Sequence, residues 1–108
     1  MDTTISARHC EITEVLRERA RAVTERLAQL SPHALDATVV FDMSPPLCTA
    51  EIRLHARGGK VLKGAGSAPD HRTALDRAEE KLRPQLEKAT SQRRRARGAS
   101  PKSPTRPQ

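Results

Sequence analysis

The side chains able to support covalent chemistry are few, and His9-Cys10 is the only pair of nucleophile type in the chain. Neighbours in sequence rarely reach the geometry that a Cys–His pair requires, so we interpret the pair as a loop histidine beside a small buried thiol. The two cysteines and four histidines show no zinc-ligand spacing, and no glycine-rich phosphate loop precedes a helix. The sequence therefore predicts no enzyme, and no cofactor, metal or small-molecule substrate.

Positive charge is the second feature that indicates a function, and it is unevenly distributed along the chain. Residues 92–108 contain six Lys or Arg residues and no acid, whereas residues 1–91 contain fourteen bases and thirteen acids. A basic tail on a near-neutral domain favours a polyanionic partner, because each neutralised phosphate releases counterions. Phe41 is the only Phe, Tyr or Trp residue, so the sequence predicts no aromatic platform for stacking single-stranded bases.

The spacing of apolar residues predicts the first helix and the strands that must position these charges. From Ile12 to Leu30 the apolar residues gather on one helical face, and Thr13 can cap that helix. Four segments have strand character: residues 3–7, 37–43, 50–56 and 60–65. Gly58-Gly59 predicts a hairpin turn between the last two strands.

A second helix is predicted after Ser67 or Asp70, since either residue can be its N-cap. The order strand, helix, three strands, helix predicts an α+β fold, βαβββα, with a four-stranded mixed sheet and two helices on one face. The apolar pattern ends near Thr90. We therefore expect a folded domain over residues 1–91 and a basic disordered tail over residues 92–108.

The charged residues of the second helix are separated by sign. On a helical wheel the bases fall on one side and the acids on another: Arg77, Lys81 and Lys88 against Asp76, Glu80 and Glu87. A solvated helix would interleave the two signs for (i, i+4) pairing, so a ribbon of one sign is better suited to a row of phosphates.

Two residues conflict with the simple helical patterns. Pro84 has no N–H to donate to the Glu80 carbonyl, so we expect it to kink or break the second helix, at a cost of about 3 kcal/mol. Arg19 falls inside the apolar face of the first helix. It is tolerated there only if its stem packs and its head group reaches water or a phosphate.

Four short motifs follow one another along residues 2–91. They are Arg8-His9-x-Glu11-Ile12-Thr13, Gly58-Gly59, Pro69-Asp70 with Ala74-Leu75-Asp76, and Lys81-Leu82-x-x-Gln85-Leu86-x-Lys88. Their order and spacing resemble the ribosome hibernation-promoting factors, also called ribosome-associated translation inhibitors. The resemblance implies the same βαβββα fold, which is similar to double-stranded-RNA-binding domains, and a short form without the second, dimer-forming domain.

The resemblance also implies a function. Such a protein occupies the decoding channel of the small ribosomal subunit, contacts ribosomal RNA, and blocks mRNA and tRNA binding under stress or in stationary phase. The residues expected to bind RNA are Arg8, Arg77, Lys81, Arg83, Lys88, Arg93, Arg94 and Arg95. The chain has no signal-peptide pattern and no apolar run of about 20 residues. We therefore expect a cytoplasmic protein without a membrane partner, monomeric when free.

Two alternatives remain open from the sequence. One is a general structured-RNA-binding module, which would hold free duplex RNA as well as it holds a ribosome. The other is a family member diverted to a protein partner, an interpretation that Pro84 favours because it stands where the family usually has a basic residue.

Overall fold

The order of elements confirms the βαβββα prediction. The computed structural model describes residues 2–31 and 33–98, and for residues 89–98 it describes the backbone alone. The elements are β1 (Asp2–Ala7), α1 (Glu14–Gln29), β2 (Ala34–Ser44), β3 (Leu47–Ala56), β4 (Lys60–Ala68) and α2 (His71–Gly98). No helix within these ranges is long and apolar enough to cross a membrane.

The four strands form one mixed sheet in the order β1-β2-β3-β4. β1 runs parallel to β2, and the other neighbours are antiparallel, as the sequence predicts. Between β3 and β4 the chain turns through Gly58 and Gly59, whose φ angles of 82° and 75° favour glycine. Along β3, Ile52 and Leu54 are buried whereas Arg53 is exposed, so one face of the sheet carries the helices and the other stays open.

The core lies between the sheet and the two helices. Its largest fully buried side chains are Phe41, Leu27, Ile52, Leu54, Leu75, Leu82 and Leu86. Phe41 meets the ring of His71 edge-on, with 5.6 Å between the ring centroids, which ties the first turn of α2 to the middle of β2. At the start of α1, Thr13 accepts a hydrogen bond from the backbone N–H of Leu16 at 3.1 Å, so the predicted cap is confirmed.

Pro84 lies inside α2, and the helix continues past it, so of the two expected outcomes, a kink or a break, the break does not occur. Leu82 and Leu86, on either side of the proline, are fully buried against the sheet, and this packing holds the two halves of the helix together. Pro84 and Glu80 both lie on the exposed side, where water can reach the Glu80 carbonyl that lacks its usual donor. Local propensity is here overridden by tertiary packing.

The backbone of α2 also stays helical through residues 92–98, where the sequence predicts the start of a disordered tail. Gln, Arg and Ala fill positions 92–97, and all three are good helix formers that need no apolar stripe. The side chains of Arg93, Arg94 and Arg95 lie outside the described part of the structure, as do residues 99–108. The boundary at residue 91 therefore stays a prediction.

Candidate nucleic-acid interface

α2 lies along the edge strand β4, and its polar side chains bind the backbone of that strand. Arg77 Nη1 donates to the Ser67 carbonyl oxygen at 2.7 Å, and Gln85 Nε2 donates to the Lys63 carbonyl oxygen at 2.7 Å. Lys81 lies one helical turn from each of them. The basic side of α2 therefore follows the β4 edge of the sheet, and its hydrogen bonds protect edge carbonyls from pairing with another chain.

The opposite side of α2 faces α1, and there its acids form ion pairs. Arg19 donates through Nε and Nη2 to Asp76 Oδ1, at 3.3 and 2.9 Å. One turn further along α2, Arg26 Nη2 lies 3.2 Å from Glu79 Oε1. Asp76 and Glu79 are thus used inside the molecule. This pairing explains why Asp76 and Glu79 lie on the side of α2 that meets the arginines of α1. Glu80 and Glu87 are exposed, and neither forms an ion pair with the described residues.

Arg19 is explained by the same contact. A wheel of α1 alone places this residue in the apolar face, and it predicts water or a phosphate as the partner of the head group. In the structure the partner is a carboxylate from the other helix, and the Arg19 side chain is 33% exposed. The sequence signal that could have found it is the acid at position 76, on the side of α2 that must face α1.

The predicted RNA-binding residues do not all lie together. Arg77, Lys81 and Lys88 lie on one exposed side of α2, and we call these three residues the α2 ribbon. In the part of the chain that the structure describes, Lys81 and Lys88 have no ion-pair partner. Arg8 is exposed beyond the end of β1, at the sheet edge opposite to β4, so it lies apart from the α2 ribbon.

Arg83 lies on the other flank of α2, where its charge is partly offset. Its Nη2 atom is 2.8 Å from Glu79 Oε2, and the Glu79 side chain is only 12% exposed. Because Arg26 binds the same carboxylate, two guanidinium groups share one negative charge. The cluster of Arg26, Arg83 and Glu79 therefore keeps one surplus positive charge where α1 and α2 meet.

We expect Glu79→Gln to lower the free energy of unfolding by about 1–2 kcal/mol, because it leaves two neighbouring guanidinium groups without a carboxylate. Urea unfolding at low and high salt measures this loss, which should shrink as salt screens the repulsion. The matched control is Glu80→Gln, on the exposed neighbour, which should stay within about 0.5 kcal/mol of the native protein. Equal stabilities for the two variants would contradict a structural role for Glu79.

Lys63 is a further exposed base on β4 that the sequence analysis did not single out. Its side chain is exposed on β4, and its carbonyl oxygen is the one that Gln85 binds. Arg53 is its neighbour on β3 but is paired with Glu51, with 2.9 Å between Arg53 Nη2 and Glu51 Oε1. The alternation of β4 was the sequence signal for an exposed Lys63.

A shallow cavity of about 230 Å³ adjoins the α2 ribbon at the β4 edge. It is lined by Thr49, Ala65, Gly66, Ser67 and Lys81. Thr49 and Ser67 are register partners on the open face of the sheet, and each brings a hydroxyl group that can donate a hydrogen bond. The small residues Ala65 and Gly66 keep the floor of the cavity open, so an anion could approach Lys81 there.

His9 and Cys10 do not form a nucleophile in this structure. His9 has a positive φ of 58°, and its Nδ1 atom lies 3.0 Å from Asp42 Oδ1. Burial raises the pKa of the Cys10 thiol, and the nearby Asp42 carboxylate raises it further. A thiol whose pKa is raised is a weaker nucleophile at neutral pH. Cys10 is half-buried, whereas the sequence analysis expected a buried thiol.

Asp42 makes a small contribution to the pH dependence of stability. A hydrogen bond from His9, followed by one from the Met43 N–H, lowers the pKa of its carboxyl group. A lowered folded-state pKa stabilises the fold above the unfolded value of about 3.9, and that stabilisation is lost as the pH falls through the folded-state pKa. We expect Asp42→Asn to flatten the fall in melting temperature below about pH 4, and Glu80→Gln to leave it unchanged. Parallel curves for native protein and Asp42→Asn would contradict this.

The comparisons with known proteins support one family. A family model described as Sigma 54 modulation protein / S30EA ribosomal protein matches residues 3–94. A ribosomal subunit interface protein from Coxiella burnetii has the same fold, with a TM-score of 0.77 at 16% identity, covering 84% of this chain and 99% of the other. The N-terminal domain of Protein Y from Thermus thermophilus gives a TM-score of 0.73 at 26% identity, covering 82% and 99%. No curated protein sequence matches the chain.

These findings confirm the family that the four motifs indicate. The match extends from β1 into the last turns of α2, so it includes every element of the sheet and the whole α2 ribbon. The chain belongs to the Sigma 54 modulation protein / S30EA ribosomal protein family.

Proposed function

We propose that this protein binds the small ribosomal subunit, occupies its decoding channel and blocks the binding of mRNA and tRNA. Family membership supports a ribosome-associated role. The observation that carries the finer proposal is the distribution of charge on α2. Asp76 and Glu79 are bound by arginines, whereas Lys81 and Lys88 are exposed and have no acid partner among the described residues.

The α2 ribbon suits a phosphate backbone in its length as well as its charge. Arg77 and Lys88 lie eleven positions apart, which corresponds to roughly 16 Å along the helix at about 1.5 Å per residue. Hydrogen bonds to the β4 backbone hold Arg77 and Gln85, so this side of the helix is fixed relative to the sheet before RNA arrives. Groups that are already ordered lose less conformational entropy on binding.

The β4 edge adds neutral donors to the same surface. Phosphate oxygens accept hydrogen bonds from hydroxyl groups as well as from lysine, and the 230 Å³ cavity brings Thr49, Ser67 and Lys81 together. We propose that one ribosomal RNA phosphate lies in this cavity. We also propose that Arg8, Arg83 and the tail residues Arg93, Arg94 and Arg95 add contacts outside the α2 ribbon.

The biological setting forms part of the proposal. The free protein would be a cytoplasmic monomer that silences ribosomes under stress or in stationary phase. It would act by occupancy alone, with no reaction catalysed.

Co-sedimentation tests the proposal against a general RNA-binding module. Purified protein is mixed with isolated small subunits, with large subunits or with free duplex RNA, and each mixture is centrifuged through sucrose. We expect binding to small subunits, displacement of a labelled mRNA, and a steep loss of affinity with salt. Equal affinity for free duplex RNA, or a bound mRNA that is not displaced, would contradict a role as a decoding-channel plug.

A further inference from the structure

A groove lies between the beginning of α1 and the beginning of α2, on the side of the molecule away from β4. Its volume is about 410 Å³, within the range of small-ligand sites. The lining residues are Thr13, Val15, Leu16, Arg19, His71 and Arg72. None of them is acidic. Because Arg19 is paired with Asp76, the charge that favours an anionic ligand is that of Arg72.

The groove also has an apolar floor. Val15 is 80% exposed, the highest value among the large exposed hydrophobic residues, and it lies beside the half-buried Leu16. A single exposed valine on a surface is ordinary. A valine that adjoins two arginines in a groove of this size instead indicates a ligand with a flat apolar part and a negative charge.

Two planar side chains in the groove are held in place by other residues. Asp76 binds Nε and Nη2 of Arg19 and so fixes the plane of the guanidinium group. His71 donates from Nε2 to the Asp42 carbonyl oxygen at 2.9 Å, and its ring packs edge-on against Phe41. Guanidinium and imidazole planes both stack on nucleobases. Arg72 is exposed and forms no ion pair with the described residues, although the Asp70 carboxylate is near its charge, so Arg72 is the cation able to reach a phosphate.

We propose that this groove binds one unstacked nucleotide of RNA. The base lies over Val15 and Leu16 against the fixed plane of Arg19, and the phosphate pairs with Arg72. The inference rests on the proposed function for the choice of RNA as ligand. It also revises a prediction from the sequence. Counting Phe, Tyr and Trp finds no stacking platform, but here arginine and histidine supply the planar groups.

The test uses the isolated, isotope-labelled protein and follows backbone amide signals by NMR. The probes are adenosine monophosphate, ribose phosphate and a short glutamate-rich peptide. We expect adenosine monophosphate to shift the amide signals of Thr13, Val15 and Arg72, and to bind at least about fivefold more tightly than ribose phosphate, because stacking contributes to its affinity. Equal affinities for the two phosphates would overturn the proposal, and so would tighter binding of the peptide, which would assign the groove to a protein partner.

Matched variants locate the binding. Val15→Ser and Arg72→Gln should each weaken the binding of adenosine monophosphate about fivefold. The same changes at exposed positions elsewhere, Val61→Ser and Arg57→Gln, should leave it unchanged. Equal effects in the two sets would overturn the proposal.

This titration tests the groove independently of the proposed function, because no ribosome is present in it. If the protein sediments with small subunits but shows no nucleotide-dependent shifts, only the groove proposal is wrong. If it binds the nucleotide but not small subunits, the proposed function is wrong.

Discussion

The double substitution Lys81→Glu and Lys88→Glu should release the protein from small ribosomal subunits, with a loss of affinity of about 100-fold or more. Hydrogen bonds to charged groups contribute roughly 1.5–3 kcal/mol each, and two of them would be lost. The introduced carboxylates would also repel the phosphates. The logarithm of affinity should also depend less steeply on the logarithm of salt concentration. The slope should become shallower by about 0.9 for each of the two lost phosphate contacts.

The fold should tolerate this double change. Both lysines are exposed on α2 and have no partner in the described residues, so the circular dichroism spectrum and melting temperature should be near those of the native protein. The matched control is Arg21→Glu with Arg57→Glu, two exposed positions off the α2 ribbon that undergo the same change in net charge. A control that weakens binding as much as the test variant would show that the total charge matters rather than the α2 ribbon.

Gly66→Ala should destabilise the protein by about 3 kcal/mol, although it adds a single methyl group. A Cβ atom at Gly66 would lie 2.5 Å from the Ala74 carbonyl oxygen, 2.6 Å from Arg77 Cβ and 2.8 Å from the Ala78 nitrogen. Two of these atoms belong to the α2 backbone, so the helix would have to move away from β4. Overpacking of this kind typically costs 1–3 kcal/mol.

Urea unfolding measures this effect, with Ala65→Ser as the control on the exposed side of the same strand. The control should stay within about 0.5 kcal/mol of the native protein. Because Arg77 and Lys81 move with α2, Gly66→Ala should also weaken binding to small subunits at temperatures where the variant is folded. Native stability for Gly66→Ala would mean that α2 does not lie as close to β4 as described.

The sheet was predictable because its physical signals are local. Residues 50–56 alternate strictly between apolar and polar, and a strand with one buried face requires that period. β4 was predicted too short, over residues 60–65 instead of Lys60–Ala68. Glycine inside a strand weakens it, but Gly64 and Gly66 are the positions where α2 approaches the backbone of β4.

Features that depend on contact between two elements could not be read from one helix at a time. The wheel of α1 cannot show that Asp76 is the partner of Arg19, and the wheel of α2 cannot show that Glu79 serves two arginines. Pro84 was expected to kink or break α2 because the cost of proline is a local quantity. The burial of Leu82 and Leu86 against the sheet, which offsets that cost, is not local.

The separation of charge on α2 has a structural cause and, we propose, a functional one. One is structural, since Asp76 and Glu79 must face the arginines of α1. This cause alone does not require bases on the other side, where uncharged polar residues would serve as well. The presence of Arg77, Lys81 and Lys88 there is what the proposed contact with RNA would explain.

The most direct measurement is an electron cryo-microscopy structure of the protein bound to the small ribosomal subunit. We predict that α2 lies in the decoding channel with Lys81 and Lys88 against ribosomal RNA phosphates, while Asp76 and Glu79 keep their contacts with α1. A complex in which these two lysines face solvent, or in which the protein lies outside the channel and leaves the mRNA path open, would contradict the account.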